Sequence, residues 1–473
     1  MPNNDRIIVG IDVGTHKICT IVAESDANPG PNRLNVLGVG AVASEGVAKG
    51  MITDIVKASS AIGSSLDVAE RQSGCRILSA YVSISGNHVS STNSRGLVAV
   101  SHPERIIGQD DVDRAVDAAR AMAIPAGRDV LHVIPRTFTV DGQEGIRNPL
   151  GLSGFRLDVE THVVTGGSNV RENLIRCVQK ADVEVDDLVL SPFASAEATL
   201  TEQEKNLGVA LVDIGHGTTD ISIYVEGSVW HSRIIPVGGW QLTNDLVLVF
   251  NIPFDAAEAL KLQYGEALSP VEAQVVQVPK PQAAHVTLHQ TAESRRQKAE
   301  GRGQRIEDGT DIPQSATAFG TNPQSGEMLD TQTFEGKPCR IPRGELNAVM
   351  AARLDQLFGL VGDELRRSGY DGMLPAGVVL AGGVAAMPGI TSVASRKLRM
   401  PVRVGRPRQI GGLTEAFDSP IYATGVGLIL WGARGNSATM PMPGGSAQIR
   451  RSNVAGDREG FLAKWLKMFL PHS

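Results

Sequence analysis

The chain has 473 residues, 42% of them hydrophobic, enough for at least two cores and, at about 150 residues per domain, roughly three units. A formal charge of −6 argues against a general nucleic-acid binder, whose binding surface usually makes the whole chain basic. Cys19, Cys75, Cys177 and Cys339 are scattered, with no C-x-x-C pair and no Cys/His cluster, so neither a zinc centre nor a disulfide framework is indicated and a reduced cytosol is expected. The polar start Pro2-Asn3-Asn4-Asp5-Arg6 runs directly into a β-branched strand, which leaves no room for a signal peptide. No apolar run is long enough to span a bilayer.

β-Branched runs predict strands at 7–12, 18–23, 34–42 and 77–84 around a helix-period segment from Asp54 to about Gln72, an α/β unit. The first strand ends in Asp12-Val13-Gly14-Thr15-His16-Lys17. There Asp closes a buried strand, Gly permits a tight turn, and Thr and the glycines supply small, close-approaching O–H and N–H donors suited to phosphate oxygens. From Gly86 the texture changes to a small inserted β-α-β module: a strand-like piece at 96–100, a helix over 111–123 capped by Asp110, strands at 130–135 and 138–141, and a stretch to 162–164. A helix over 169–180 and a strand at 187–190 return to the first fold. Gly208 then opens a second half, in which Val209–Val212 leads into Asp213-Ile214-Gly215-His216-Gly217-Thr218-Thr219-Asp220. One D-x-G turn is an ordinary hairpin. Two, about 200 residues apart, make a phosphate clamp between two halves the better reading.

Beyond the second turn come Val237-Gly238-Gly239, a helix over 255–264 and a long helix over 343–368. Residues 269–338, rich in Gln, Pro, Ser and Gly, hold too little apolar surface to offset chain entropy and are expected to be a disordered insertion. Gly377–Gly383 is a buried strand running into a glycine turn. A flexible linker, 433–459, precedes 460–470, where Phe461, Leu462, Trp465, Leu466, Met468, Phe469 and Leu470 share an apolar face and Lys464 and Lys467 project from the other side. With Arg434, Arg450, Arg451 and Arg458 before it, this segment reads as an interfacial anchor for an anionic lipid surface.

The two acidic turns, the Glu258-x-x-Lys261-x-x-Tyr264-Gly265 helix after Gly238-Gly239, and Leu380-Ala381-Gly382-Gly383 resemble the actin-like ATPases. More narrowly, Arg147-Asn148-Pro149-Leu150-Gly151-Leu152-Ser153-Gly154, the Gly46–Ile55 stretch and the terminal amphipathic helix resemble the FtsA family of bacterial cell-division proteins, over essentially the whole chain except 269–338 and 433–459. The resemblance implies an α/β, actin-like two-domain fold of duplicated ribonuclease-H-like cores, with an inserted small β-α-β subdomain and a C-terminal amphipathic helix. Domain I would comprise 6–85 and 166–207 around the inserted subdomain 86–165. Domain II would comprise a core, 208–254, an outer subdomain, 255–372, and closing segments, 373–432.

For the site, the resemblance implies ATP with Mg²⁺. Asp12 and Asp213 would hold the ion largely through water, as a hard cation that keeps its waters prefers. Gly14, Thr15, His16, Lys17, Gly215, His216, Gly217, Thr218 and Thr219 would surround the phosphates, with Gly238 and Gly239 beside them. Glu258 would bond the ribose, Lys261 would lie along the adenine, and Gly382 and Gly383 would let the backbone approach the nucleotide. His216 stands where many members of the group have Gly, so that turn either points the imidazole outward or uses it near the phosphates. Relatives that hydrolyse ATP well place Gln or Glu near the start of the hinge helix. Here that stretch is Ser191-Pro192-Phe193-Ala194-Ser195-Ala196-Glu197, which implies ATP binding with at most weak hydrolysis.

The implied partners are polymers of the tubulin-like protein FtsZ, further copies of this chain in a filament, later division proteins of the membrane, and the lipid itself through Phe461, Leu462, Lys464, Trp465, Leu466, Lys467 and Phe469. The acidic C-terminal peptide of FtsZ would meet the outer subdomain, with Arg340, Arg343 or Arg353 as charge partners. No nucleic acid is implied, and the place is the cytoplasmic face of the inner membrane at the division site. An actin-like pilus-assembly adaptor is the alternative; it shares the clamp and an inserted module but needs no lipid anchor.

Overall fold

The structure, a computed structural model, describes residues 7–25, 34–102, 104–121, 124–267, 327–408, 410–412 and 417–435. The expected linker beyond 435, the amphipathic segment 460–470 and the insertion up to 326 lie outside the described residues. The chain divides into two compact units, Met1–Gln241 with Leu357–Ser473, and Leu242–Gln356.

The first unit contains one strand topology twice. Ile7–Val13, Lys17–Ser25 and Leu34–Ala43 form an antiparallel meander; Ser79–Ile84 joins parallel to the first strand and Glu184–Leu190 parallel to that. Val209–Ile214, Thr219–Val225 and Ser228–Ile235 repeat the meander, with Val378–Ala381 and Val402–Val404 added in parallel in the same order. Ile410–Gly412 extends the outer edge of the first sheet. Val209–Ile214 and Val378–Ala381 are buried throughout and Ile7–Val13 from Ile8 to Ile11, as expected when both faces of a sheet are covered.

Local chemistry fixes the covering helices. Helix Ile55–Ser73 starts where the Asp54 carboxylate accepts from Val56 N and Lys57 N, and ends at Gly74 in the left-handed region. It buries Ala58, Ile62, Leu66 and Ala69 against the first sheet. Helices Ser191–Thr199 and Ala423–Gly435 follow the last parallel strands and pack on one another. Gly427 sets their separation, because a Cβ there would run into the backbone carbonyl of Ala194. At the far end of this pair the buried carboxylate of Glu197 is ion-paired with Lys205 at 3.1 Å and with Arg434.

The inserted module is larger than the expected β-α-β. Its sheet has the order Ser90–Ala99, Arg156–Gly167, Arg128–Val140, Gln143–Ile146, and helix Gln109–Ala121 packs Val112, Ala115 and Ala119 on Phe138, Leu157 and Val159. The strands expected at 130–135 and 138–141 are one strand; a register shift opposite Glu160 and Thr161 accommodates Pro135, which has no N–H to give the ladder. Asp110 is not the cap. The neighbouring Asp111 is buried and accepts from Gly108 N and Ser101 N at the helix start.

In the second unit, helix Phe254–Tyr264 accompanies the hairpin Met328–Gln332 with Pro338–Pro342. This corrects the expected insertion, whose last residues are ordered: Leu329 and Ile341 face each other across the hairpin and are buried, giving this polar stretch an apolar anchor. Among the described residues no helix is long and apolar enough to cross a membrane.

Candidate functional site

The two acidic turns have the same internal bond. Gly14 N donates to Lys17 O at 3.1 Å, and Gly215 N donates to Thr218 O at 2.9 Å. They also meet. The rings of His16 and His216 lie 4.8 Å apart between centroids, tilted by 35°, and a Cβ on Gly217 would stand 2.7 Å from Thr15 Oγ1. Both histidines therefore lie at the junction of the turns. The small hairpin Val47–Ala48 with Met51–Ile52 supports the contact: Gly50 N donates to Thr15 Oγ1 at 3.1 Å, and Lys49 Cα would be 3.0 Å from the same hypothetical Cβ.

Three carboxylates lie at the strand ends beneath the turns. Asp12 Oδ1 accepts from Ser83 Oγ at 2.9 Å, and that hydroxyl itself accepts from Val13 N. Asp213 Oδ2 accepts from Ser195 Oγ and, at 3.3 Å, from Thr424 Oγ1, one residue from each of the packed helices. Asp220, directly opposite Asp213 in the strand pair, accepts from Ser85 Oγ at 2.6 Å through Oδ2. Its Oδ1, with the Thr218 hydroxyl nearby, is buried without a partner of good hydrogen-bond geometry among the described residues. Burial pushes Asp213 up to about 6, with Asp12 adding to the shift, and pushes Asp220 up to about 7, with Asp213 adding to it. Burial raises Asp12 as well, against the opposing charge of Lys17. Carboxylates raised by burial and crowded together at the meeting of the turns are the donor set a divalent cation relieves.

Other residues of the first unit that the sequence singles out lie near these turns. The Lys17 ammonium lies 4.0 Å over the Tyr422 ring. Gly382 has a φ of +84° and lies against Asp213, where a Cβ would strike Oδ1. Gly383 faces open space. Gly238 is pressed on the second turn, 2.6 Å from Gly215 O to a hypothetical Cβ, and the amides of Gly239 and Trp240 donate to Gly215 O and His216 O. Thr219 needs correction as a donor: it is fully buried and its hydroxyl donates to Val237 O at 2.7 Å, so it shapes the loop instead.

In the second unit, Glu258 and Lys261 form a largely buried ion pair at 2.7 Å, with Lys261 Nζ also 2.8 Å from Thr243 Oγ1. Arg353 is corrected as a surface partner. Its side chain is only 4% exposed and makes a two-pronged contact with Asp245 at 2.6 and 2.8 Å, because that face of its helix turns inward. Arg343 bonds Glu327, and Arg340, 72% exposed, bonds Asp330.

Sequence reasoning missed Asp220, Ser83, Ser85, Ser195, Thr424 and Tyr422. Only Asp220 carried a local signal: a tight turn that starts at Asp213 returns the chain opposite it.

Two copies of one strand order, each opening on an acidic glycine turn and meeting at those turns, define the actin-like class of α/β proteins. The chain belongs to the FtsA family of cell-division proteins. The family profile "Cell division protein FtsA" matches residues 210–427, and "SHS2 domain inserted in FTSA" matches 86–165. The cell division protein FtsA of Pseudomonas aeruginosa is 39% identical over 437 residues, 92% of each chain. The Bacillus subtilis (strain 168) protein is 34% identical over 91% of this chain and 84% of its own, and the Escherichia coli (strain K12) protein 32% identical over 90% of each. Among solved structures, one from the PilM–PilN type IV pilus biogenesis complex superposes with a TM-score of 0.57 at 15% identity, covering 90% of this chain and 98% of its own, a likeness of fold alone.

Proposed function

We propose that this chain binds ATP with Mg²⁺ between its two acidic turns, assembles with further copies of itself, and tethers FtsZ polymers to the cytoplasmic face of the inner membrane at the division site. The observation that carries the nucleotide reading is the meeting of the turns over three carboxylates, of which Asp213 and Asp220 are buried and Asp12 is partly buried. Asp12 and Asp213 would hold the cation, largely through water, with Asp220 beside them. When bound, the ion supplies positive charge against the phosphates and relieves the carboxylates. The turn amides and hydroxyls of Gly14, Thr15, Gly215, Gly217 and Thr218 would receive phosphate oxygens, and Lys17 adds an ammonium. Glu258 and Lys261 would take the ribose and adenine, and Gly382 and Gly383 would line the nucleotide.

Hydrolysis is expected to be slow at best. The Ser191 hydroxyl is occupied with Ile84 O, and Glu197 is held in its ion pairs with Lys205 and Arg434, so the start of this helix presents no free carboxamide or carboxylate to orient water.

The outer subdomain would receive the acidic FtsZ peptide, with exposed Arg340 and half-exposed Arg343 as its charge partners now that Arg353 is committed to Asp245. Later division proteins of the membrane would join the assembled form. The lipid anchor is segment 460–470. Seven half-buried apolar side chains could supply on the order of 5–10 kcal/mol before helix ordering, and neighbouring copies in a filament multiply that by making later insertions intramolecular. Co-sedimentation with anionic liposomes and FtsZ in the presence of ATP is the test. The parent should carry FtsZ down, and Trp465→Glu should abolish liposome binding while ATP binding persists. If Trp465→Glu sediments as well as the parent, the tether reading fails.

A further inference from the structure

The bonds that hold the inserted module in place lead back to the carboxylates. The module grows out of the end of strand Ser79–Ile84, and this strand end reaches both acidic turns within three residues: Ser83 Oγ donates to Asp12, and Ser85 Oγ, one residue past the strand, donates to Asp220 at 2.6 Å. A single short segment thus touches one carboxylate from each core. Immediately beyond Ser85 the backbone pivots at Gly86, with a φ of +127°, and His88 Nε2 lies 3.2 Å from Ser85 O.

The body of the module docks on the second core, and on one strand of it. Ser91 Oγ donates to Ser232 O at 2.7 Å. The buried His162 ring spans the joint, 2.8 Å from Ser232 Oγ on one side and 2.8 Å from Asn93 Oδ1 on the other. The Arg136 guanidinium lies 3.6 Å over the Trp230 ring. Strand Ser228–Ile235 is in turn paired with Thr219–Val225, the strand that begins at the second turn and carries Asp220. The module is thus a strap. It leaves the first core beside Ser85 and lands on the hairpin that holds Asp220, and the Ser85–Asp220 bond is the link closest to the carboxylates.

We propose that Ser85 is a positioning residue, which holds Asp220 in place and through that bond couples nucleotide occupancy to the docking of the inserted module. The inference rests on the reading that the two turns bind ATP with Mg²⁺. Asp220 has one oxygen held by Ser85 and the other, with the Thr218 hydroxyl nearby, without a partner of good geometry among the described residues. A cation among the carboxylates changes what Asp220 faces, and the hydroxyl bonded to it sits one residue before the Gly86 pivot. Any adjustment of that carboxylate is delivered to the root of the strap.

Hydrogen exchange on the full chain tests this, with ATP affinity measured in parallel by calorimetry for the parent, Ser85→Ala and Ser85→Thr. In the parent, saturating Mg-ATP should change the exchange of module segments 90–99 and 156–167 by about tenfold. Ser85→Ala should still saturate with ATP, at a Kd raised by up to roughly tenfold, but lose that ATP-dependent change, and Ser85→Thr should restore it. The proposal is overturned if Ser85→Ala keeps the full change, including the case in which its module merely exchanges faster with and without ATP alike. It is also overturned if the parent binds ATP and its module does not respond. A parent that does not bind ATP removes the nucleotide reading itself, and this inference with it.

Discussion

Replacing Asp220 by Asn should stabilise the magnesium-free protein, and more strongly in mild alkali than in mild acid. Burial first, then the charge of Asp213, raises the Asp220 pKa to about 7. An unfolded Asp ionises near 3.9, and at about 1.4 kcal/mol per pH unit the gap puts the ionisation penalty on the order of 4 kcal/mol. The sign follows from the protons. Between roughly pH 4 and pH 7 the unfolded chain has released a proton that the folded one keeps, so stability falls as pH rises and levels off above about 7. Asn carries no charge at either end of that range and still offers an acceptor to Ser85. The variant should therefore be more stable than the parent by roughly 1.5 kcal/mol at about pH 5 and roughly 4 kcal/mol at about pH 8, a difference of several degrees in melting temperature. Thermal melts in EDTA at the two pH values measure it. A variant that melts below the parent in alkali, or a gap that does not widen with pH, refutes the claim that a buried, strained carboxylate sits beside the second turn.

Gly427→Ala places a methyl group in the Ala194 carbonyl and must part the two packed helices. Overpacking of about 1–3 kcal/mol should outweigh the gain of about 1 kcal/mol in helix propensity, and a lower urea midpoint would show it. Glu197→Gln leaves Lys205, only 1% exposed, and Arg434 without their buried partner, and should cost about 3–5 kcal/mol at neutral pH. Burial pushes the Glu197 carboxyl up, but Arg434 and Lys205 together hold it below the usual range. Its contribution is therefore present above the ordinary carboxylate range and lost as pH falls through the lowered value, so parent and variant should converge in acid; equal gaps at pH 7 and in acid would contradict the pairing.

What the sequence disclosed was what neighbouring residues decide between themselves. The acidic turns are written in Asp, Gly and Thr at short spacing, and helix Ile55–Ser73 is bracketed by Asp54 and Gly74. What it hid depends on distant partners. Arg353 reads as a solvated helix arginine until Asp245, 108 residues away, is brought opposite it. Ser83 in its strand and Ser85 just past its end read as ordinary serines until parallel pairing lays that strand beside Ile7–Val13. Pro135 reads as a strand break because the bulge that absorbs it needs the partner strand, and the hairpin at 328–342 is hidden by its polar composition because the buried pair Leu329 and Ile341 anchors it. Thr219 reads as a phosphate ligand, since nothing local reveals that Val237 O takes its hydroxyl.

The clamp itself is tested most directly by calorimetric titration of ATP, with and without Mg²⁺, into the parent and Asp213→Ala. Asp213 lies where Ser195, Thr424, Gly382 and Asp220 converge, so its removal takes a carboxylate from the centre of the site. The parent should bind ATP more tightly with Mg²⁺, and the variant should lose that metal-dependent gain, roughly 10–100-fold in affinity, while keeping its far-ultraviolet spectrum. Equal ATP affinity in the two proteins, or affinity in the parent that ignores Mg²⁺, would contradict a nucleotide clamp built from the two turns.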